Sequence, residues 1–314
     1  MKPFIQKKSL LLSGVLLLCL LLPGHCPAKG GQGAGGPGGA ALKKIAGGLY
    51  AFIGPAGAAN SGFVVTENGV VVIDSQGPRP LALKLKEKIK EVSGLPVIYV
   101  INTHYHGDHT FGNQYFNAAR SIIAHRETRR ALIEKEKEQK AVFKRFFGPE
   151  SLDGFTLTPP DITFSEKMTL KIGGKTLLLI HTGPAHTGGD IYVYMPGERV
   201  VFTGDILYRK RLPWLADGNF EGALKALDEL LALGAEVYIP GHGEVASRED
   251  VVEFRGYLTA LEGAVKKMMA DGAALAEVKE RIKLPAYGSY MKYREWLPLN
   301  AEKVYNELKK ERRR

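Results

Sequence analysis

Thiols are almost missing from this chain: of 314 residues only Cys19 and Cys26 are cysteine, and both lie near the N-terminus. If that segment is removed, the remaining protein can form no disulfide and can use no thiol nucleophile. The apolar run Leu10 to Leu22 is too short to span a bilayer comfortably. No 20–50-residue repeat is present, which excludes solenoids and propellers. No basic stripe is interleaved with aromatic residues, so a nucleic-acid partner is not expected despite a net charge of +10. Nor does any serine or cysteine sit in a convincing nucleophilic triad.

The N-terminus reads as an export signal. Lys2, Lys7 and Lys8 precede the apolar run, and Cys26-Pro27-Ala28 offers an Ala-ended cleavage site. Residues 1–28 are therefore expected to be a signal peptide and the mature protein to be periplasmic or secreted, an uncleaved membrane anchor being the alternative. Pro23-Gly24-His25-Cys26 is a poor match to a lipoprotein site. Residues 29–42 are almost all glycine, alanine and proline, a composition that buries no core and reads as a flexible tether. The excess positive charge lies on helix faces such as Lys84, Lys86, Lys88 and Lys90, an ordinary solvated surface with at most weak attraction to an anionic membrane surface or acidic partners.

Residues 43–270 read as one large domain with room for a substantial core. Glu67-Asn68-Gly69 separates two β-rich runs, and Gly173-Gly174 separates two more, both hairpin signals. Helical periodicity covers Leu81 to Val92, Glu221 to Leu233 and Arg248 to Ala270. Residues 271–314 read as a helical C-terminal extension, accessory to the domain and ending in a basic cluster.

What the chain does possess is histidine and aspartate in a tight run. His104-Tyr105-His106-Gly107-Asp108-His109 follows the apolar stretch Pro96 to Ile101, expected to be a buried strand that ends at Asn102-Thr103 and throws the run onto a loop. Histidines at i and i+2 can close on one cation while Asp108 and His109 face a neighbouring one. Neutral imidazole and carboxylate suit zinc, and also iron or manganese. His186, Asp205 and His242 each lie just beyond a further apolar run, in turns whose glycines permit tight backbone near an ion. Delivering polar groups from the ends of short buried strands is how an α/β scaffold builds a site.

In this order the segments resemble the metallo-β-lactamase fold superfamily, over roughly Ile45 to Arg248. The resemblance implies an α/β, four-layer αββα sandwich with metals at one edge between two mixed sheets. It implies two zinc ions per chain, with iron or manganese as alternatives: His104, His106 and His186 on the first, Asp108, His109 and His242 on the second, and Asp205 bridging both. Asn60-Ser61-Gly62 and Val72-Ile73-Asp74 agree with it, and Asp74 reads as a residue that pins a ligand loop. Zinc β-lactamases resembling this chain usually carry cysteine or serine at position 205. Aspartate there is shared by glyoxalase II-type thioester hydrolases, lactonases, phosphodiesterases and periplasmic hydrolases linked to quinoproteins. Pro160-Asp161-Ile162-Thr163-Phe164 and Gly183-Pro184-Ala185-His186-Thr187 resemble that last group most.

Two cations about 3.5–4 Å apart share a water and lower its pKa, which makes hydrolysis of an ester, thioester, lactone or amide the expected chemistry. Asp108 is expected to orient the water and relay its proton. Tyr208, three residues after Asp205, either stabilises the oxyanion, as in lactonases of the superfamily, or packs beside the metal loop. A β-lactamase proper, an iron-dependent oxidoreductase and a non-catalytic quinoprotein-assembly factor are the alternatives. Substrate choice is assigned to residues 127–160 and to Tyr208 to Phe220, where Arg209, Lys210 or Arg211 would meet an anionic group of a small-molecule substrate. His181 is expected to orient its loop, and His125 to cap a strand or helix start.

Overall fold

A computed structural model describes residues 39–311. The signal segment with both cysteines, the tether up to residue 38 and the last three arginines lie outside the described residues. The first sheet contains β1 (Ala41–Ala46), β2 (Leu49–Ile53), β3 (Ser61–Thr66), β4 (Gly69–Ile73), β5 (Val97–Ile101), β6 (Ser121–His125) and β7 (Ile162–Phe164), in that spatial order. Antiparallel pairing joins β1 to β4, and parallel pairing joins β4 to β7. The second sheet contains β8 (Lys167–Ile172), β9 (Lys175–His181), β10 (Ile191–Met195), β11 (Val200–Tyr208) and β12 (Val237–His242), antiparallel except for the parallel β11–β12 pair.

The helices are α1 (Arg79–Val92), the single turn α2 (Gly107–Thr110), α3 (Arg126–Glu134), α4 (Glu136–Phe147), α5 (Phe220–Ala232), α6 (Arg248–Ala270), α7 (Leu275–Arg281) and α8 (Tyr293–Glu311). Alternation along β4 explains how the layers stack. Val71 and Ile73 point inward, against Leu177, Val193 and Phe202 of the second sheet, whereas Val70 and Val72 point outward onto Leu85 and Ile89 of α1. Burying each such side chain contributes about 1.5–3 kcal/mol. Helices α5 and α6 cover the outer face of the second sheet, completing the αββα order. Both hairpins form where their turn residues stand, and Gly173 and Gly174 adopt the positive φ values (47° and 75°) that a two-residue turn between twisted strands requires.

Two findings refine the boundaries read from the sequence. Strand β1 begins at Ala41, two residues inside the segment read as tether, because Ala41 and Leu42 pair with Ile53 and Phe52 of β2. The C-terminal helices share a core with the domain: Val278, Ile282, Trp296, Leu297, Ala301 and Val304 are buried in one cluster with Tyr257, Leu258 and Leu261 of α6. Among the described residues no helix is long and apolar enough to cross a membrane.

Candidate metal centre

The residues named from the sequence converge at one edge of the sandwich. His104, His106, Asp108 and His109 follow β5, with Gly107–Thr110 forming α2. His186 sits on the β9–β10 loop, Asp205 lies within β11 and His242 ends β12. Two groups of potential ligand atoms form, each lying within 4.8 Å: His104, His106, His186 and Asp205, and Asp108, His109 and His242. Asp205 touches both, since Oδ1 is 3.1 Å from His109 Nε2 and Oδ2 is 3.3 Å from His186 Nε2 and 3.4 Å from His242 Nε2. Its close approach to β12 needs a glycine at position 241, where a Cβ would overlap Asp205 Oδ1.

The outer hydrogen bonds fix which nitrogen of each ring faces inward. Asp74 accepts from Thr103 N (2.8 Å), Thr103 Oγ1 (2.7 Å) and His109 Nδ1 (2.8 Å). These bonds hold Asp74 in a left-handed conformation (φ 55°) that a non-glycine residue rarely adopts. Because Thr103 gives its hydroxyl proton to Asp74, its oxygen accepts from His104 Nδ1 at 3.0 Å. His242 Nδ1 donates to Gly57 O (2.9 Å), and His106 Nε2 donates to Asp217 Oδ2 (3.1 Å). The atoms turned inward are therefore His104 Nε2, His106 Nδ1, His109 Nε2 and His242 Nε2, each the bare nitrogen when its ring is neutral, with tautomers assigned from these partners.

Part of this inward set lacks protein partners, as metal ligands do. His104 Nε2, His109 Nε2 and Asp205 Oδ1 are buried with no hydrogen-bond partner, a costly state that a cation would relieve. His106 Nδ1 and His186 Nε2 face each other at 2.9 Å. Burial holds the His104 imidazole well below its usual range and pushes His186 down to about 4, so both favour the neutral form that ligates. Burial also disfavours the charged form of His109, but Asp205, Asp74 and Asp108 outweigh it and raise that ring well above its usual range. Burial pushes the Asp205 and Asp108 carboxyls up, and the surrounding histidines overcome this and hold both below the usual carboxylate range. Imidazole and carboxylate donors in this ratio fit zinc, iron or manganese.

The other expectations resolve as follows. Tyr208 is buried against the site, its ring stacked on His242 (5.2 Å between centroids, 8° between planes) and its hydroxyl donating to Asp205 Oδ2. His181 turns away, donating from Nδ1 to Asp190 O (2.7 Å) and stacking on His125 at 3.8 Å. His125 caps α3 and also bonds Ser165 O. Sequence reasoning missed two aspartates. Asp190 pins the His186 loop by accepting from Ala185 N and from Thr187 N and Oγ1. Asp217, with Trp214 Nε1 as a further donor at 3.2 Å, orients His106. Its only sequence signal is the Asp217-Gly218 pair within a segment already assigned to the cleft. Asp217→Ala should lower metal affinity about 10–100-fold with the fold intact; unchanged affinity in a competitive chelator titration would remove Asp217 from the support of the site.

Beside the ligands lies a cleft of about 310 Å³. It is lined by Phe143, Phe146 and Phe147 of α4, with Phe146 edge-on to Trp214, and by Arg211 and Trp296.

Comparison with known proteins matches this architecture. The β subunit of 2,4-dinitroanisole O-demethylase from Nocardioides sp. (strain JS1661) is 28% identical over 207 residues, covering 66% of this chain and 60% of that protein. The linear primary-alkylsulfatase of Pseudomonas sp. (strain ATCC 19151) is 23% identical over 258 residues, covering 70% and 49%. The chain thus spans only about half to three fifths of the length of these relatives. Among solved structures, the stereoselective inverting sec-alkylsulfatase Pisa1 from Pseudomonas sp. superposes with a TM-score of 0.71 at 18% identity, over 85% of this chain and 50% of that one, a likeness of fold. The sequence profile of the metallo-beta-lactamase superfamily matches residues 54–242, more than half of the chain and a span that runs through all seven converging residues. The chain belongs to the metallo-beta-lactamase superfamily.

Proposed function

We propose that this protein is an exported dinuclear zinc hydrolase that cleaves an ester, thioester, lactone or amide bond in a small molecule. The observation that carries this reading is the convergence of five imidazoles and two carboxylates in two adjoining groups, with His104 Nε2, His109 Nε2 and Asp205 Oδ1 buried without a partner and Asp205 close to both groups. Superfamily members are mostly hydrolases, and on this reading water is the nucleophile. On this reading His104, His106, His186 and Asp205 hold one ion, and Asp108, His109, His242 and Asp205 the other. When bound, the ions supply a water acidic enough to attack near neutral pH and an electrophile for the substrate oxygen.

The chain's own groups do the rest. Asp108 is the one carboxylate of the set that is partly open to the cleft (side chain 24% exposed), with Oδ2 3.5 Å from His242 Nε2. That carboxylate would accept the proton of the attacking water and pass it to the leaving group. Tyr208, whose hydroxyl burial and the nearby Asp205 charge keep neutral, holds the Asp205 carboxylate in place. Phe143, Phe146 and Phe147 exclude bulk water from the apolar part of the substrate. An alkyl sulfate ester is a second reading, favoured by a cleft that holds both these apolar rings and the Arg211 cation and by the likeness to an alkylsulfatase.

The test is a substrate panel on the zinc-loaded protein from about residue 29: nitrocefin, an acyl thioester, a lactone, an aryl carboxylic ester and an alkyl sulfate. Metal content and oxygen consumption are measured alongside. Zinc-dependent hydrolysis of a carboxylic ester, thioester or lactone is expected. Robust nitrocefin turnover would establish a β-lactamase despite Asp205. Oxygen uptake with iron would make the protein an oxidoreductase, and silence across the panel with two bound ions would favour the assembly factor.

A further inference from the structure

The loop after β11 carries three successive cations, and the fold uses them differently. Arg209 pairs with Asp250 (Nε to Oδ1, 2.9 Å) and with the Val245 carbonyl, and Lys210 pairs with Glu253. Arg211 has no carboxylate within 4 Å among the described residues, and its Nε is buried without a hydrogen-bond partner. A half-buried cation left uncompensated at a cleft wall is costly unless something else meets it.

Its position is fixed from both sides. Arg211 NH1 donates to Gly57 O at 2.7 Å, the same carbonyl that accepts from His242 Nδ1, so the guanidinium lies one carbonyl away from a metal-ligating ring. Glycine suits position 57, where φ is 75° and a Cβ would press on Met291 Sδ and Arg211 NH1. On the other side the guanidinium carbon lies 4.9 Å from the centre of the Trp296 ring. The backbone around it pairs with the segment before α8: Leu212 N donates to Met291 O and Met291 N to Lys210 O, both at 3.0 Å. This segment, which also brings Lys292 to the cleft wall, lies beyond the superfamily match at residues 54–242. Of the four acids on the cleft, Asp108 and Asp205 belong to the cluster of candidate ligands, Asp217 is spent on His106, Trp214 and Lys135, and Glu138 lies on α4.

We propose that Arg211, backed by Trp296 and the 285–296 segment, is a specificity-determining residue that binds an acidic group of the substrate, a carboxylate or sulfate close to the scissile bond, while the apolar remainder lies along α4. The favoured substrate class is thus an amphiphilic acid. The placement of the scissile bond rests on the hydrolase reading, and the clamp itself does not. The guanidinium lines the cleft, and its planar fork can offer an oxyanion paired donors that an ammonium cannot reproduce.

The experiment is calorimetric titration of the zinc-loaded protein with 1-octanesulfonate, whose carbon–sulfur bond resists hydrolysis, and with neutral 1-octanol. Wild type, Arg211→Gln and Arg211→Lys are compared, with zinc content and thermal melting checked for each. Wild type should bind the sulfonate at least about tenfold more tightly than the alcohol. Arg211→Gln should abolish that preference while leaving octanol within twofold, and Arg211→Lys should restore part of it. Equal weakening of both probes, wild-type affinity of Arg211→Gln for the sulfonate, or no preference in the wild type would each overturn the proposal. An intact sulfonate preference in a protein that hydrolyses nothing would retain the clamp and sink the hydrolase reading alone.

Discussion

An Asp205→Ala variant is expected to hold no more than one metal ion per chain and to lose at least about a hundredfold in kcat/KM, since altering partners that merely support ligands already costs 10–100-fold. The geometry makes this the most damaging single change. Asp205 is the one residue within 3.4 Å of rings from both groups, reaching His109, His186 and His242. It is also the buried anion that makes four close imidazoles tolerable, and without it their nitrogens face one another uncompensated. The loss is read by elemental analysis and by steady-state rates on whichever substrate the panel yields. Two ions bound at full activity in the variant would take Asp205 out of the site.

The second large effect is expected from truncation at residue 270. The removed helices bury Val278, Trp296, Leu297, Ala301, Val304 and Leu308. At about 1.5–3 kcal/mol for each of the larger side chains, the gross loss is comparable to the whole stability of a typical domain, about 5–15 kcal/mol. Residues 29–270 alone should therefore be insoluble or melt without cooperativity. A soluble fragment melting within a few degrees of the longer protein would mean that α7 and α8 are a removable appendage. Trp296 gives the truncation a second consequence, because it is also a wall of the cleft.

The parts of the molecule legible in the sequence were those encoded locally. A β-branched run ending in Asn102-Thr103 and the crowded histidines after it need no distant information to be read. The same holds for the Asn-Gly and Gly-Gly turns, whose backbone demands are met within two residues. Asp217 was illegible because its meaning comes from His106, 111 positions away, and nothing in its own neighbourhood marks it. Arg211 stood beside two other cations of the same charge, and only the positions of Asp250 and Glu253 on α6 separate the paired from the unpaired. The C-terminal helices read as accessory because their apolar residues have a partner only once α6 is folded.

The seven converging residues are split between the two sheets, four on the loop after β5 and three on elements of the second sheet. Any cation gripping both sets is a rivet through the seam of the sandwich. Binding energy at the edge then becomes resistance of the two halves to sliding or parting. A chelator would accordingly soften this protein as well as silence it. Volume changes at Val71 or Phe202, deep between the sheets, would be transmitted to the rivet as loosened grip long before the chain unfolds.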